Sequence, residues 1–144
     1  MGGFPEAYCR VVASRIQGDD AYVLLDAGSP GHPYLYGVNC SRLNGHWSQG
    51  SSGNGPGWSL TDADRELGTL SLWGDAPADA DIVRVEFKGE RREEPVHGGA
   101  FLAVWWRQPC PGPGREWPRA KAFRVRGDWL PAAAPVVFPP RAPI

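Results

Sequence analysis

Three cysteines, three histidines and sixteen carboxylates are the side chains of this 144-residue chain best suited to hold a metal, attack a bond or move a proton. Their spacing argues against each of these tasks. Cys9, Cys40 and Cys110 show no C-x-x-C spacing, and His32, His46 and His97 are scattered through predicted loops and turns, so zinc is not expected. Acidic groups stand at Asp19-Asp20, at Asp62 and Asp64, and at Asp75, Asp79 and Asp81. Calcium takes oxygen ligands of this kind, but none of the groups has EF-hand spacing, and solvated turn and cap positions account for them. The glycine-rich stretch 50–57 opens no helix and lacks the lysine of a phosphate-cradling loop. No nucleophile elbow is present, and Cys40 with His46 is a coincidence of composition, since a buried structural cysteine is the commoner case. No catalytic residue, cofactor or metal ligand is assigned, and a non-enzyme is expected.

Cys9 and Cys40 lie on the apolar phase of two predicted strands, a placement that allows either an inter-sheet disulfide or two buried free thiols. Cys110, between prolines, stands apart from them. Seven tryptophans are a high count for this length, and tryptophan is the side chain most used to stack on sugars and to anchor interfaces. Trp73, Trp105 and Trp106 are embedded in apolar strands and read as core, while Trp129 is left unassigned. Trp47, Trp58 and Trp117 sit in polar, Gly/Pro-rich surroundings predicted to be loops, and are the candidate contacts for a ligand or partner. Arg126-Gly127-Asp128 falls where a hairpin turn is due and carries no weight as an adhesion tripeptide. Asn39-Cys40-Ser41 fits a glycosylation sequon but lies mid-strand.

Short strands must position these residues. Nineteen glycines and fifteen prolines fall in clusters between brief apolar runs, the punctuation of an all-β chain. Strands are predicted at 7–16, 21–26, 34–43, 68–73, 82–88, 92–96, 100–106 and 121–126, with a last run near Trp129-Leu130. In the first, Ala7, Cys9, Val11 and Ala13 share one face. Val83, Val85 and Phe87 alternate with Arg84, Glu86 and Lys88, the pattern of a half-buried strand. Ala100–Trp106 (AFLAVWW) is apolar on both faces, which points to a central strand covered on both sides or to an edge strand covered by something else, the central position being favoured. Asn44-Gly45 is a strong hairpin signal, 48–57 reads as a mobile loop, and 61–66 supplies at most one helical turn. The expected fold is all-β, an immunoglobulin-like two-sheet antiparallel sandwich with little or no helix. Residues 1–130 form its single domain and 131–144 a Pro/Ala-rich extended tail.

A net charge of −1 removes the basic field that nucleic-acid binding needs. No apolar run approaches the roughly 20 residues of a membrane-spanning helix, and the first residues lack the pattern of a signal peptide, so a soluble chain is expected.

The segment from Leu72-Trp73-Gly74 through Val83-Arg84-Val85-Glu86-Phe87 and Gly89-Glu90-Arg91 to Gly98-Gly99-Ala100-Phe101-Leu102-Ala103-Val104-Trp105-Trp106 resembles uncharacterised extracytoplasmic domains of Gram-positive bacteria, especially actinobacteria. The resemblance spans the middle third of the chain and concerns hairpin residues and core aromatics, so it is specific for architecture. It implies an accessory or interaction domain working outside the cytoplasm, with no catalytic residues to carry over. The expected function is a non-catalytic interaction or spacer module contacting a protein. The alternative is a carbohydrate-binding module that contacts polysaccharide through Trp47, Trp58 and Trp117.

Overall fold

A computed structural model describes residues 10–29, 32, 34–53, 57–114 and 116–132. Among these the chain is all-β, with antiparallel pairing throughout and no helix. The first sheet is a meander of β1 (Arg10–Gln17), β2 (Asp20–Asp26), β3 (Leu35–Leu43) and β4 (His46–Gly53), in the order β1-β2-β3-β4. The second runs β5-β6-β9 and is built from β5 (Gly57–Asp62), β6 (Leu67–Asp75) and β9 (Ala100–Pro109). The third runs β11-β10-β7-β8 and holds β7 (Ala80–Phe87), β8 (Glu90–Pro95), β10 (Arg119–Val125) and β11 (Asp128–Pro131). The sequence suggested two sheets, and the strands divide among three.

Local chemistry sets the hairpins. Asn44 (φ 53°) and Gly45 (φ 79°), Lys88 (φ 50°) and Gly89 (φ 75°), and Arg126 (φ 54°) and Gly127 (φ 91°) each place two residues at positive φ, as a two-residue type I′ turn requires. These turns pair Leu43 with His46, Phe87 with Glu90, and Val125 with Asp128.

Two cores share the middle sheet. Leu70 and Leu72 of β6, Phe101, Ala103 and Trp105 of β9, Val83, Val85 and Phe87 of β7, and Ala120 of β10 form one cluster between the second and third sheets. Trp73 of β6, Ala100, Leu102 and Val104 of β9, Ala13 of β1, and Tyr22 and Leu24 of β2 form the other, between the second and first sheets. Successive side chains of a strand point to opposite faces, so a strand feeding two cores must be apolar at every position. That is the physical origin of AFLAVWW.

Yet β9 is not central in its sheet, as its composition had suggested; it ends the order β5-β6-β9. Two guanidinium groups meet carbonyls on this strand. Arg15 of β1 donates to the Leu102 carbonyl at 3.1 Å and to the Glu94 carboxylate of β8 at 3.1 Å. Arg92 of β8 donates to the Val104 carbonyl at 2.7 Å. A terminal strand thus reaches its neighbouring sheets through side chains, which leaves fewer buried acceptors unpaired.

Other expectations are corrected. The stretch 48–57 belongs largely to β4 and the start of β5, because the Asn44-Gly45 turn sets the register and a solvent-facing edge strand needs backbone partners more than apolar side chains. Residues 63–66 form a non-helical turn. A bulge between Val11 and Ala13 interrupts the period of two, so Val11 pairs with Leu25 while Ala13 pairs with Leu24 and enters the core. β11 extends through Pro131, and Ala132 still donates to the Lys121 carbonyl at 3.0 Å. Cys9, the start of the first predicted strand, and the tail from residue 133 lie outside the described residues.

Candidate functional site: the outward face of the first sheet

Because Ala13, Tyr22 and Leu24 point into the second core, the residues between them on β1 and β2 must point away from it. The registers carry this phase across the sheet. Ile16 pairs with Ala21 and Ala21 with Cys40; Ser14 pairs with Val23 and Val23 with Val38; Val11 pairs with Leu25 and Leu25 with Tyr36. On β4 the same face receives Trp47, Gln49 and Ser52, opposite Arg42, Cys40 and Val38. Two side-chain contacts confirm the phase. The Tyr36 hydroxyl lies 3.0 Å from the Ser52 hydroxyl, and the Arg42 guanidinium stands 5.2 Å from the Trp47 ring centre.

This face is apolar and almost free of charge. Val11 and Ile16 are 62% and 67% exposed, Trp47 is 43% exposed, Val23, Leu25, Tyr36 and Cys40 are half-buried, and Ala21 and Val38 lie low between them. Its one charged side chain is Arg42, which is paired with Asp19 at 3.1 Å. Burial pushes the Cys40 thiol up from its ordinary pKa, and the thiol is free. Cys40 therefore sits on the outward side of its sheet, away from the core the sequence had suggested for it.

The opposite side of the sheet is held by buried packing and hydrogen bonds. The Trp73 indole N–H donates to the Tyr22 hydroxyl at 2.8 Å in the buried layer beneath β2 and β3. Burial raises the Tyr22 pKa, against the lowering effect of hydrogen bonds with Ser71 and Trp73. Gly37 of β3 is required there, since a Cβ would run into the Tyr22 hydroxyl. At the end of β2, Asp26 accepts the backbone N–H groups of Gly28 at 2.9 Å and Tyr34 at 3.0 Å, and the Arg10 guanidinium at 3.1 Å. Burial alone would raise the Asp26 pKa, but these donors outweigh it and hold the carboxyl below its usual range. The anchored loop brings Tyr34 against Tyr36, ring centres 6.4 Å apart, and extends the face beyond its last strand pair.

The three candidate tryptophans do not converge. Trp47 of β4 belongs to the outward face. Trp58 of β5 packs against the first core and donates its indole N–H to the Gln108 carbonyl at 2.8 Å. Trp117 also packs against that core. Trp47 and Trp58 lie on strands instead of the predicted loops, and a flat platform of three exposed rings is not formed. Trp129 is half-buried under the Arg84 guanidinium, 3.9 Å from its ring centre. Sequence reasoning missed Val11, Ile16, Val23 and Leu25, because apolar alternation does not say which side of a strand meets the core.

Elsewhere some of the acidic residues singled out from the sequence have local partners. Asp79 pairs with Arg126 at 3.7 Å and Asp81 with Arg124 at 3.3 Å. Asp20, Thr61, Asp62, Ala63, Asp64 and Arg107 line an open depression of about 280 Å³. Among the described residues no group of three His, Cys, Asp or Glu side chains is arranged to hold a metal ion, and no helix is long and apolar enough to cross a membrane. Asn39 of the sequon is buried, and Arg126-Gly127 forms the β10–β11 turn.

Comparison with protein-family models, with curated proteins and with solved structures returns no match to this chain. The class is therefore defined by the fold, an antiparallel all-β protein of stacked sheets, and, among the described residues, by a broad face of the first sheet that carries little charge.

Proposed function

We propose that this protein is a non-catalytic β-sandwich interaction module, working outside the cytoplasm, that uses the outward face of its first sheet to contact another protein surface. The observation that carries this is the exposure of Val11, Ile16 and Trp47 on one sheet face whose only charge is already paired. Leaving such a surface in water forgoes about 25 cal/mol for every Å² that a partner would cover. Uncharged faces rich in aromatic and aliphatic groups are the composition of interface centres. The resemblance of the middle third to extracytoplasmic accessory domains supports the setting, and the Pro/Ala-rich sequence after Pro131 suits a spacer.

A pull-down that compares the native chain with Ile16→Glu tests this, with Leu130→Glu as the control because Leu130 is 50% exposed but lies on β11. The expected result is a protein partner retained by the native and Leu130→Glu chains and lost from Ile16→Glu. Equal capture by all three chains, or binding to insoluble polysaccharide that Ile16→Glu leaves unchanged, overturns the assignment.

A further inference from the structure

We infer that the first sheet packs, outward face to outward face, on the same sheet of a second copy of this chain. This rests on the assignment of that face as a contact surface and names its occupant.

Size is the first argument. Four strands at a spacing of about 4.8 Å and about eight residues rising 3.3 Å each give a face of roughly 19 by 26 Å, about 500 Å² in projection. Two copies together cover about 1,000 Å² before side-chain relief is counted, which reaches the size a specific interface must clear. A single strand added to the β4 edge would cover far less.

Charge is the second. A two-fold interface sets every group against the same surface of its mate, so a face with many like charges cannot pair with itself. Here the outward positions of β1 to β4 hold no carboxylate, and the lone guanidinium, Arg42, stands at the β3–β4 turn end with Asp19 to neutralise it. The other outer sheet contrasts with this one. The outward positions of β7, β8 and β10 carry Arg84, Glu86, Glu93, Arg119 and Lys121, bound into the ion pairs Arg84–Glu93, Arg119–Glu86 and Lys121–Glu86. Among the described residues, it is the first sheet that offers its own copy a surface with little charge.

Relief is the third. Along one row Ile16 stands proud beside Ala21 and Cys40, and along the next Val23 and Val38 lie beside Ser14 and Ser52. Sheets packed face to face about 10 Å apart interdigitate such ridges and dips. The Ile16 side chain of one copy fits the shallow place above Ala21 in the other.

Sedimentation velocity of the purified full chain, over a concentration series, tests the assembly without any foreign partner. Dimer is expected at tens of micromolar, with Ile16→Lys or Val23→Lys weakening it by at least about tenfold and Leu130→Lys leaving it unchanged. Circular dichroism and thermal unfolding show whether each variant is folded; Ile16, two-thirds exposed, tolerates lysine best. In parallel, Cys40 alkylation in a Cys9→Ser, Cys110→Ser chain should slow as protein concentration rises, because Cys40 lies on the covered face. A monomer at every concentration, or a dimer indifferent to both lysines, overturns the inference. A monomer whose Cys40 is protected at all concentrations also overturns it, and assigns the face to a terminal segment of the same chain. A monomer that still loses a foreign partner on Ile16→Glu leaves the interaction module standing and removes the second copy.

Discussion

Replacing Arg15 by methionine keeps the aliphatic stem but removes the guanidinium that ties all three sheets together. The native group donates to Ser14 of its own strand at 2.9 Å, to the Glu94 carboxylate of the third sheet and to the Leu102 carbonyl of the second. Glu94 is only 8% exposed, so the variant strands a nearly buried carboxylate as well as a carbonyl of a fully buried residue. Hydrogen bonds to charged groups contribute about 1.5–3 kcal/mol, and removing one partner of a fully buried pair costs about 3–5 kcal/mol. The Arg15 side chain is 31% exposed, which lets water reach the site and lowers the figure to about 2–3 kcal/mol. With a urea dependence near 2 kcal/mol/M for a chain of this size, the unfolding midpoint should fall by about 1–1.5 M. Tryptophan fluorescence in a urea titration reads this directly. The double variant Arg15→Met, Glu94→Leu removes the unpaired charge and should recover part of the loss. A midpoint within about 0.3 M of the native value, or a double variant no more stable than Arg15→Met alone, would refute the idea that Arg15 closes the β9 edge.

Two further perturbations probe the layer under the proposed contact face. Gly37→Ala drives a methyl group into the Tyr22 hydroxyl and displaces its bond to Trp73; overpacking and a broken buried hydrogen bond together should cost about 2–4 kcal/mol, seen as a lower thermal midpoint and an altered near-ultraviolet signal from Trp73. Asp26→Asn should be destabilising at neutral pH, and because the folded carboxyl has a lowered pKa, its contribution is present in full above the ordinary aspartate value of about 3.9 and is lost as pH falls through the lower folded value. The stability gap between native and Asp26→Asn chains should therefore narrow below about pH 4, and a gap that stays constant from pH 7 to pH 3 would show that the charged form is not what Gly28, Tyr34 and Arg10 hold.

Much of the strand order was legible because it rests on local chemistry. Val83, Val85 and Phe87 enter the core while Arg84, Glu86 and Lys88 do not, as their alternation implies. Asn44-Gly45 turns where residues tolerant of positive φ stand, whereas Lys88, expected to end a strand, takes φ 50° as the first residue of the next turn. β4 was not legible, since His46-Trp47-Ser48-Gln49-Gly50-Ser51-Ser52-Gly53 has no apolar face and is held in a strand by its backbone partners on β3. The contact face was hidden for a related reason. Val11 and Ala13 look like one face at period two, and the bulge between them sends Val11 to solvent and Ala13 to the core.

By itself, then, the sequence determined an all-β chain, the position of most turns, and a strand at 100–106 covered on both sides, because turn preference, alternation and hydrophobicity act over a few residues. Tertiary structure alone decided that the strands divide into three sheets, that β9 ends its sheet and meets Arg15 and Arg92, that Trp58 and Trp117 pack inward, and that Val11, Ile16, Val23 and Trp47 share one open face. Those outcomes depend on register and on which sheet covers which, and such pairings are made between residues distant in the chain, where no local pattern records them.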